Sequence, residues 1–131
     1  MAAIAQLRIP RLAIDVPVFN GTHRDTLDRG AGWVIGTTAL GQHGNSVVSA
    51  HRDKHFKSLQ HAQVGDVIEV EIDQKIQTFE IEEIFITDPL DLSVLDPTAS
   101  QVLTLITCFP FDYQGYAPDR FIVRARRDNE R

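Results

Sequence analysis

The chain has 131 residues, a net charge of −5, ordinary apolar and charged fractions of 43% and 24%, and one cysteine. That is the size and make-up of a single soluble globular domain, and the acidic balance argues against nucleic acid, whose binding needs a basic face. One cysteine excludes an internal disulfide and a CxxC metal site, and no apolar run approaches the ~18 residues that cross a bilayer.

Met1 to Ile4 lacks the basic start and long apolar core of a signal peptide. Residues 1–131 therefore read as one domain without an N-terminal membrane anchor, although an abrupt start just before a strand is also how a trimmed chain begins. Leu7 to Val18 alternates in short pieces broken by Pro10 and Pro17, which suits a pair of edge strands. After the Asn20-Gly21 loop, Thr26 is placed to cap one helical turn that Gly30 ends. Gly32 to Ile35 reads as a short extended segment, and Thr37 to Asn45 as a glycine-bearing loop.

Ser46 to Ala50 is a strand that delivers His51, and His55 to Gln60 a short helix with Phe56 and Leu59 on one face. Val67 to Ile72 alternates Ile68, Val70 and Ile72 with Glu69 and Glu71, the pattern of a half-buried strand. Asp73-Gln74-Lys75 turns it into a long strand ending at Thr87. Asp88 to Ser100 is a loop with at most one helical turn. Leu103 to Cys108 is a buried strand stopped by Pro110, and Arg120 to Arg126 is the last strand. The terminal arginines 124, 126 and 127 read as a solvated strand end countered by Asp128 and Glu130. Seven or eight short strands without a long amphipathic helix predict an all-β barrel or sandwich.

Side chains two apart in a strand share a face. With Leu103 and Leu105 inward, Cys108 points out; with Phe121 and Val123 inward, Arg120 points out; Val47, Ser49 and His51 share a third face. If these three strands are neighbours, His51, Cys108 and Arg120 meet on one outer surface. The combination matches a chemical need: a thiol attacks as thiolate, an imidazole exchanges its proton, and a guanidinium holds a developing oxyanion. Each residue alone has a plainer explanation, as a small buried hydrophobe, a loop histidine and an edge charge. His23, His43, His55 and His61 compete for the base role, and His51 is preferred because a strand fixes it. A zinc site from His51, His55 and Cys108 is a minor alternative lacking a fourth ligand.

The ordered motifs then become specific. Thr104-Leu105-Ile106-Thr107-Cys108 resembles the TLxTC signature of sortases, cysteine transpeptidases of bacterial surfaces. Gly44 to Asp53, ending in Ala50-His51-Arg52-Asp53, resembles the family's GN-strand-GHR segment, with alanine at 50 where glycine is commoner. Phe56-Lys57-Ser58-Leu59 with Val64-Gly65-Asp66, Ala117 to Val123, and Leu7 to Leu12 resemble the other family marks, in the family's order.

The resemblance implies a closed eight-stranded sortase-type β-barrel with one or two short helices, closest to the compact class D/E type and similar to sortases of Gram-negative bacteria. It implies that His51, Cys108 and Arg120 are catalytic, and that an LPxTG-like sorting signal is cleaved between Thr and Gly through a thioacyl enzyme and passed to an amine. Expected groove residues are Val47, Ser49, Ala50, Ile106, Thr107 and Phe109. The implied partners are surface proteins with a C-terminal sorting signal and an amine acceptor on the envelope or another protein. The implied location is the outer face of the cytoplasmic membrane. No cofactor is expected; some sortases use calcium, and Asp88, Asp91 and Asp96 are the carboxylates available for it. The alternatives are a non-catalytic β-barrel that binds an extended peptide as an added strand, and a cysteine hydrolase that uses water.

Overall fold

In the computed structural model, which describes residues 2–128, eight strands close into a barrel in the order β1-β2-β3-β4-β7-β8-β6-β5. They are β1 (Ala5–Ile9), β2 (Ile14–Asn20), β3 (Ala31–Trp33), β4 (Asn45–Ser49), β5 (Val67–Ile72), β6 (Lys75–Thr87), β7 (Val102–Phe109) and β8 (Asp119–Arg127). β2 with β3 and β4 with β7 run parallel, and every other neighbouring pair is antiparallel. One short α-helix, α1 (Arg24–Arg29), and 3₁₀ turns over Pro10–Leu12, Lys57–His61 and Leu92–Leu95 complete the described elements. This is the expected closed barrel.

Alternation builds the interior. Leu7, Ile9, Val18, Val48, Ile68, Ile81, Leu103, Leu105 and Val123 are sealed from solvent and form one core, and Phe56 and Leu59 after β4 join it. The β5–β6 hairpin turns on Asp73 and Gln74, both at positive φ (51° and 67°), the twist that a two-residue hairpin connection requires. At Gly32 a Cβ would lie 2.1 Å from the carbonyl oxygen of Gly21, so only glycine lets β3 approach that turn.

Arg11, from the opening segment, donates to both carboxylate oxygens of Asp66 at 2.6 and 2.8 Å, across 55 residues of chain. The hydrogen bond from Arg11 comes first among the causes that hold the Asp66 carboxyl below its ordinary range; the Gln63 N–H and the guanidinium charge add to it.

Three expectations change. The pair β1 and β2 is not at an edge, because closure gives each strand two neighbours. Its prolines are accommodated otherwise: Pro10 opens a 3₁₀ turn, and Pro17 precedes the three residues that pair with β3. Thr26 does not cap α1. The helix starts at Arg24 after His23, and Thr26 is buried inside it, its carbonyl accepting from Gly30 N–H. The terminal arginines are not merely solvated: Arg126 pairs with Glu82 at 3.3 Å, Arg127 donates to Gln101, and Arg124 donates to Thr104 and Val94. A loop that folds back over the outer wall supplies the acceptor at Val94.

Candidate active site

The order β4-β7-β8 makes the three strands of the parity reading true neighbours. Ser49 pairs with Ile106 across the parallel β4–β7 ladder, and Cys108 pairs directly with Arg120 across β7–β8. His51 follows β4 by two residues. Its position is fixed from both sides: Thr107 Oγ1 donates to the Ala50 carbonyl at 2.7 Å, and the His51 carbonyl accepts from Phe56 N–H at 3.1 Å. Arg120 Nη1 donates to the carbonyls of Asp119 and Ala117 at 2.9 and 3.3 Å, which holds the guanidinium at the mouth of its strand. All three residues are half-buried.

Two cavities meet there, and His51, Cys108 and Arg120 stand in the walls of both. The first, of about 400 Å³, runs along the outer wall beneath the β6–β7 loop and is floored by Ile106 and Ile122, with Val94 and Leu95 above. The second, of about 950 Å³, lies between the turn after His51 and the β7–β8 loop, where Asp28, Arg52, Asp53 and Gln114 add polar groups to a wall that Tyr113, Tyr116 and Ala117 also line.

Ser49, Ala50, Ile106 and Thr107 line the first cavity; Val47 and Phe109 do not. Phe109 shares the inward parity of Leu105 and stacks on Phe121 at 6.1 Å, with Phe111 edge-on to both. Thr107 is buried and its hydroxyl is committed to Ala50, so it offers the groove backbone rather than a free hydroxyl. Val47 is fully buried.

The motifs around His51, Cys108 and Arg120 carry no sign of the network that holds the β6–β7 loop. Asn45 Nδ2 donates to the carbonyls of Val94 and Asp96 at 2.9 and 3.0 Å, and Asn45 Oδ1 accepts from Thr104 Oγ1 at 2.6 Å. Arg124 donates to Thr104 Oγ1 and to the Val94 carbonyl. The one available signal was a buried-strand position occupied by polar Asn45 and Thr104, since such groups need partners.

The acidic residues of that loop do not converge. Asp91 accepts from Ser93 and Thr87, which keeps its carboxyl below its usual range, while Asp88 accepts from Leu90 N–H. Asp96 meets Asn45 through its carbonyl. Among the described residues no three His, Cys, Asp or Glu side chains come together as a metal site; His55 sits against the Asp28 carbonyl at 3.5 Å.

Residues 7–128 match the Sortase domain family. A sortase D of Bacillus subtilis (strain 168) is 32% identical over 122 residues, covering 92% of this chain and 62% of that protein. A sortase A of Streptococcus agalactiae serotype III (strain NEM316) is 28% identical over 134 residues, 95% of this chain and 53% of that protein. The chain thus spans less than two thirds of the length of either relative. Among solved structures, a Clostridium perfringens sortase D5 transpeptidase superposes with a TM-score of 0.86 at 29% identity, covering 95% of this chain and 78% of that one. A lid mutant of sortase A from Corynebacterium diphtheriae gives 0.89 at 27% identity, covering 96% and 70%. No helix among the described residues is long and apolar enough to cross a membrane.

Proposed function

The chain belongs to the sortase family, and on that premise we propose that the barrel is the catalytic unit of a cysteine transpeptidase acting on an LPxTG-like sorting signal. One observation supports this reading: the adjacent strands β4, β7 and β8 bring His51, just past the end of β4, together with Cys108 and Arg120 at the wall of an apolar groove. The Leu-Pro part of the signal lies over Ile106 and Ile122 beneath the β6–β7 loop, in reach of the half-buried thiol.

In the first half-reaction the Cys108 thiolate adds to the carbonyl carbon of the Thr–Gly bond. The oxyanion is held by Arg120 and a backbone N–H near Cys108, in a site where fixed donors act more strongly than in water. The C–N bond then breaks, the acyl group remains as a thioester on Cys108, and His51 gives its proton to the departing amine. In the second half-reaction an incoming amine attacks the thioester, loses its proton to His51, and expels the thiolate. Protein groups alone supply this chemistry. The donor is a surface protein with a C-terminal sorting signal, the acceptor an amine on the envelope or another protein, and the reaction takes place at the outer face of the cytoplasmic membrane.

A cleavage assay on a quenched LPxTG-like peptide tests the assignment. Cys108→Ala is expected to abolish turnover, and turnover by that variant would refute the nucleophile. Arg120→Lys keeps the charge but loses the planar fork, so a loss of about 10²-fold in kcat with an unchanged Tm is expected. A near-native rate would remove Arg120 from the mechanism.

A further inference from the structure

Arg52 follows His51 and takes no part in the chemistry above. Its Nη2 donates to two carbonyls of the β7–β8 loop, Tyr113 at 2.6 Å and Gly115 at 2.8 Å. Among the described residues these are the only hydrogen bonds that tie residues 113–116 to another part of the barrel; the remaining one, Tyr113 N–H to the Pro110 carbonyl, lies within the loop. The loop itself is outlying, with Tyr116 98% exposed. Arg52 Nε is buried without a partner among the described residues. The side chain is therefore oriented to serve the loop carbonyls while one of its own donors goes unmet, an uncommon condition for a buried polar atom.

The strap has a position that matters. At one end is the turn that fixes His51; at the other is the wall of the larger cavity, which Cys108 also lines and which the β7–β8 loop, not the β6–β7 loop, encloses. We propose that Arg52 is a positioning residue for the second half-reaction: by strapping the β7–β8 loop to the His51 turn, it builds the wall along which a primary amine approaches the thioester. It thereby sets how the acyl group divides between amine and water. This rests on the transpeptidase reading. The two fates differ in one atom. Amine nitrogen or water oxygen bonds to the thioester carbon, the C–Sγ bond breaks with its electron pair leaving on sulfur, and the proton released goes to His51. The amide or the free acid departs, and Cys108 is regenerated. A loosened wall orients the amine less well while admitting water freely, so the ratio of amide to acid falls.

The test uses the whole 131-residue chain, an LPxTG-like peptide and glycinamide, with amide and acid products measured by mass spectrometry. Arg52→Ala is expected to lower the amide-to-acid ratio about tenfold, the loss of a charge-assisted pair of bonds. Thioester formation, served by the apolar groove, falls by a smaller factor. Because both bonds leave one nitrogen, Arg52→Lys should hold the ratio within about threefold of wild type. Arg52→Gln reads the same ratio should the alanine variant not fold. Hydrogen exchange of residues 111–117 is expected to quicken in the alanine or glutamine variant, independently of any activity. An unchanged ratio, a lysine variant as poor as alanine, or unchanged exchange would each overturn the strap. Absence of any thioester in the wild type would fall instead on the proposed function, and the exchange measurement would still decide the strap.

Discussion

The two loops that flank Cys108 are held in opposite ways. The β6–β7 loop, over the apolar groove, is pinned by a network in which Asn45 donates to the carbonyls of Val94 and Asp96 and Arg124 to that of Val94, while Thr104 joins the two side chains by donating to Asn45 and accepting from Arg124. The β7–β8 loop, over the larger cavity, is held to the rest of the barrel at 113–116 by Arg52. A wall fastened at several buried points keeps a fixed shape, which suits recognition of a peptide signal. A wall hung on one exposed-facing arginine can yield, which suits passage of a second substrate and release of product. The difference follows from where the anchors sit: Asn45 and Thr104 are sealed within neighbouring strands, whereas Arg52 is half-buried in a turn.

The largest effect on stability should come from the better-anchored side. Asn45→Ala leaves the buried Thr104 hydroxyl without its acceptor and releases the carbonyls of Val94 and Asp96, at about 3 kcal/mol in a urea titration. A loss near zero would show that the network is redundant and would erase the contrast between the loops. Thr107→Val, of similar shape, removes the bond to the buried Ala50 carbonyl, and about 1–2 kcal/mol of stability should go with it. Its turnover should fall further than its stability, since His51 is next in the chain; unaltered kinetics would mean that the turn after β4 positions the imidazole without it.

The smallest effect lies away from both loops, at Arg11 and Asp66. Because Asp66 has its carboxyl lowered in the fold, the stability it contributes is fully present above its unfolded value near 4 and is lost as pH falls through the folded value. Asp66→Asn should therefore lower Tm by a few degrees at pH 7 and progressively less below pH ~4. An offset that persists unchanged in acid would assign Asp66 a packing role instead of an electrostatic one.

Much of this was open to inspection in the sequence. Side-chain parity, with Leu103 and Leu105 inward in β7 and Phe121 and Val123 inward in β8, placed Cys108 and Arg120 on one face, and their direct pairing gives that inference its geometry. The contact of β4 with β7 was a different matter: it is parallel and spans the whole β5–β6 hairpin, so no local pattern encodes it. The same parity puts Phe109 inside with Leu105, and nearness to Cys108 in the chain was the poorer guide to its place. Arg124 looked like a solvated strand end because nothing near it in sequence announces that a loop from the 90s folds over it. Arg52 was visible as a motif residue beside His51, but its partners lie 61 and 63 residues away, and only the closed barrel brings them near.

The most direct measurement is the intact mass of the protein during reaction with a panel of LPxTG-like peptides, with and without an added amine. A mass gain mapping to Cys108, persisting without amine and discharged as a peptide–amine product with it, is the expected result. Peptide bound without any covalent mass at Cys108 would contradict the transpeptidase and leave a barrel that only binds its signal.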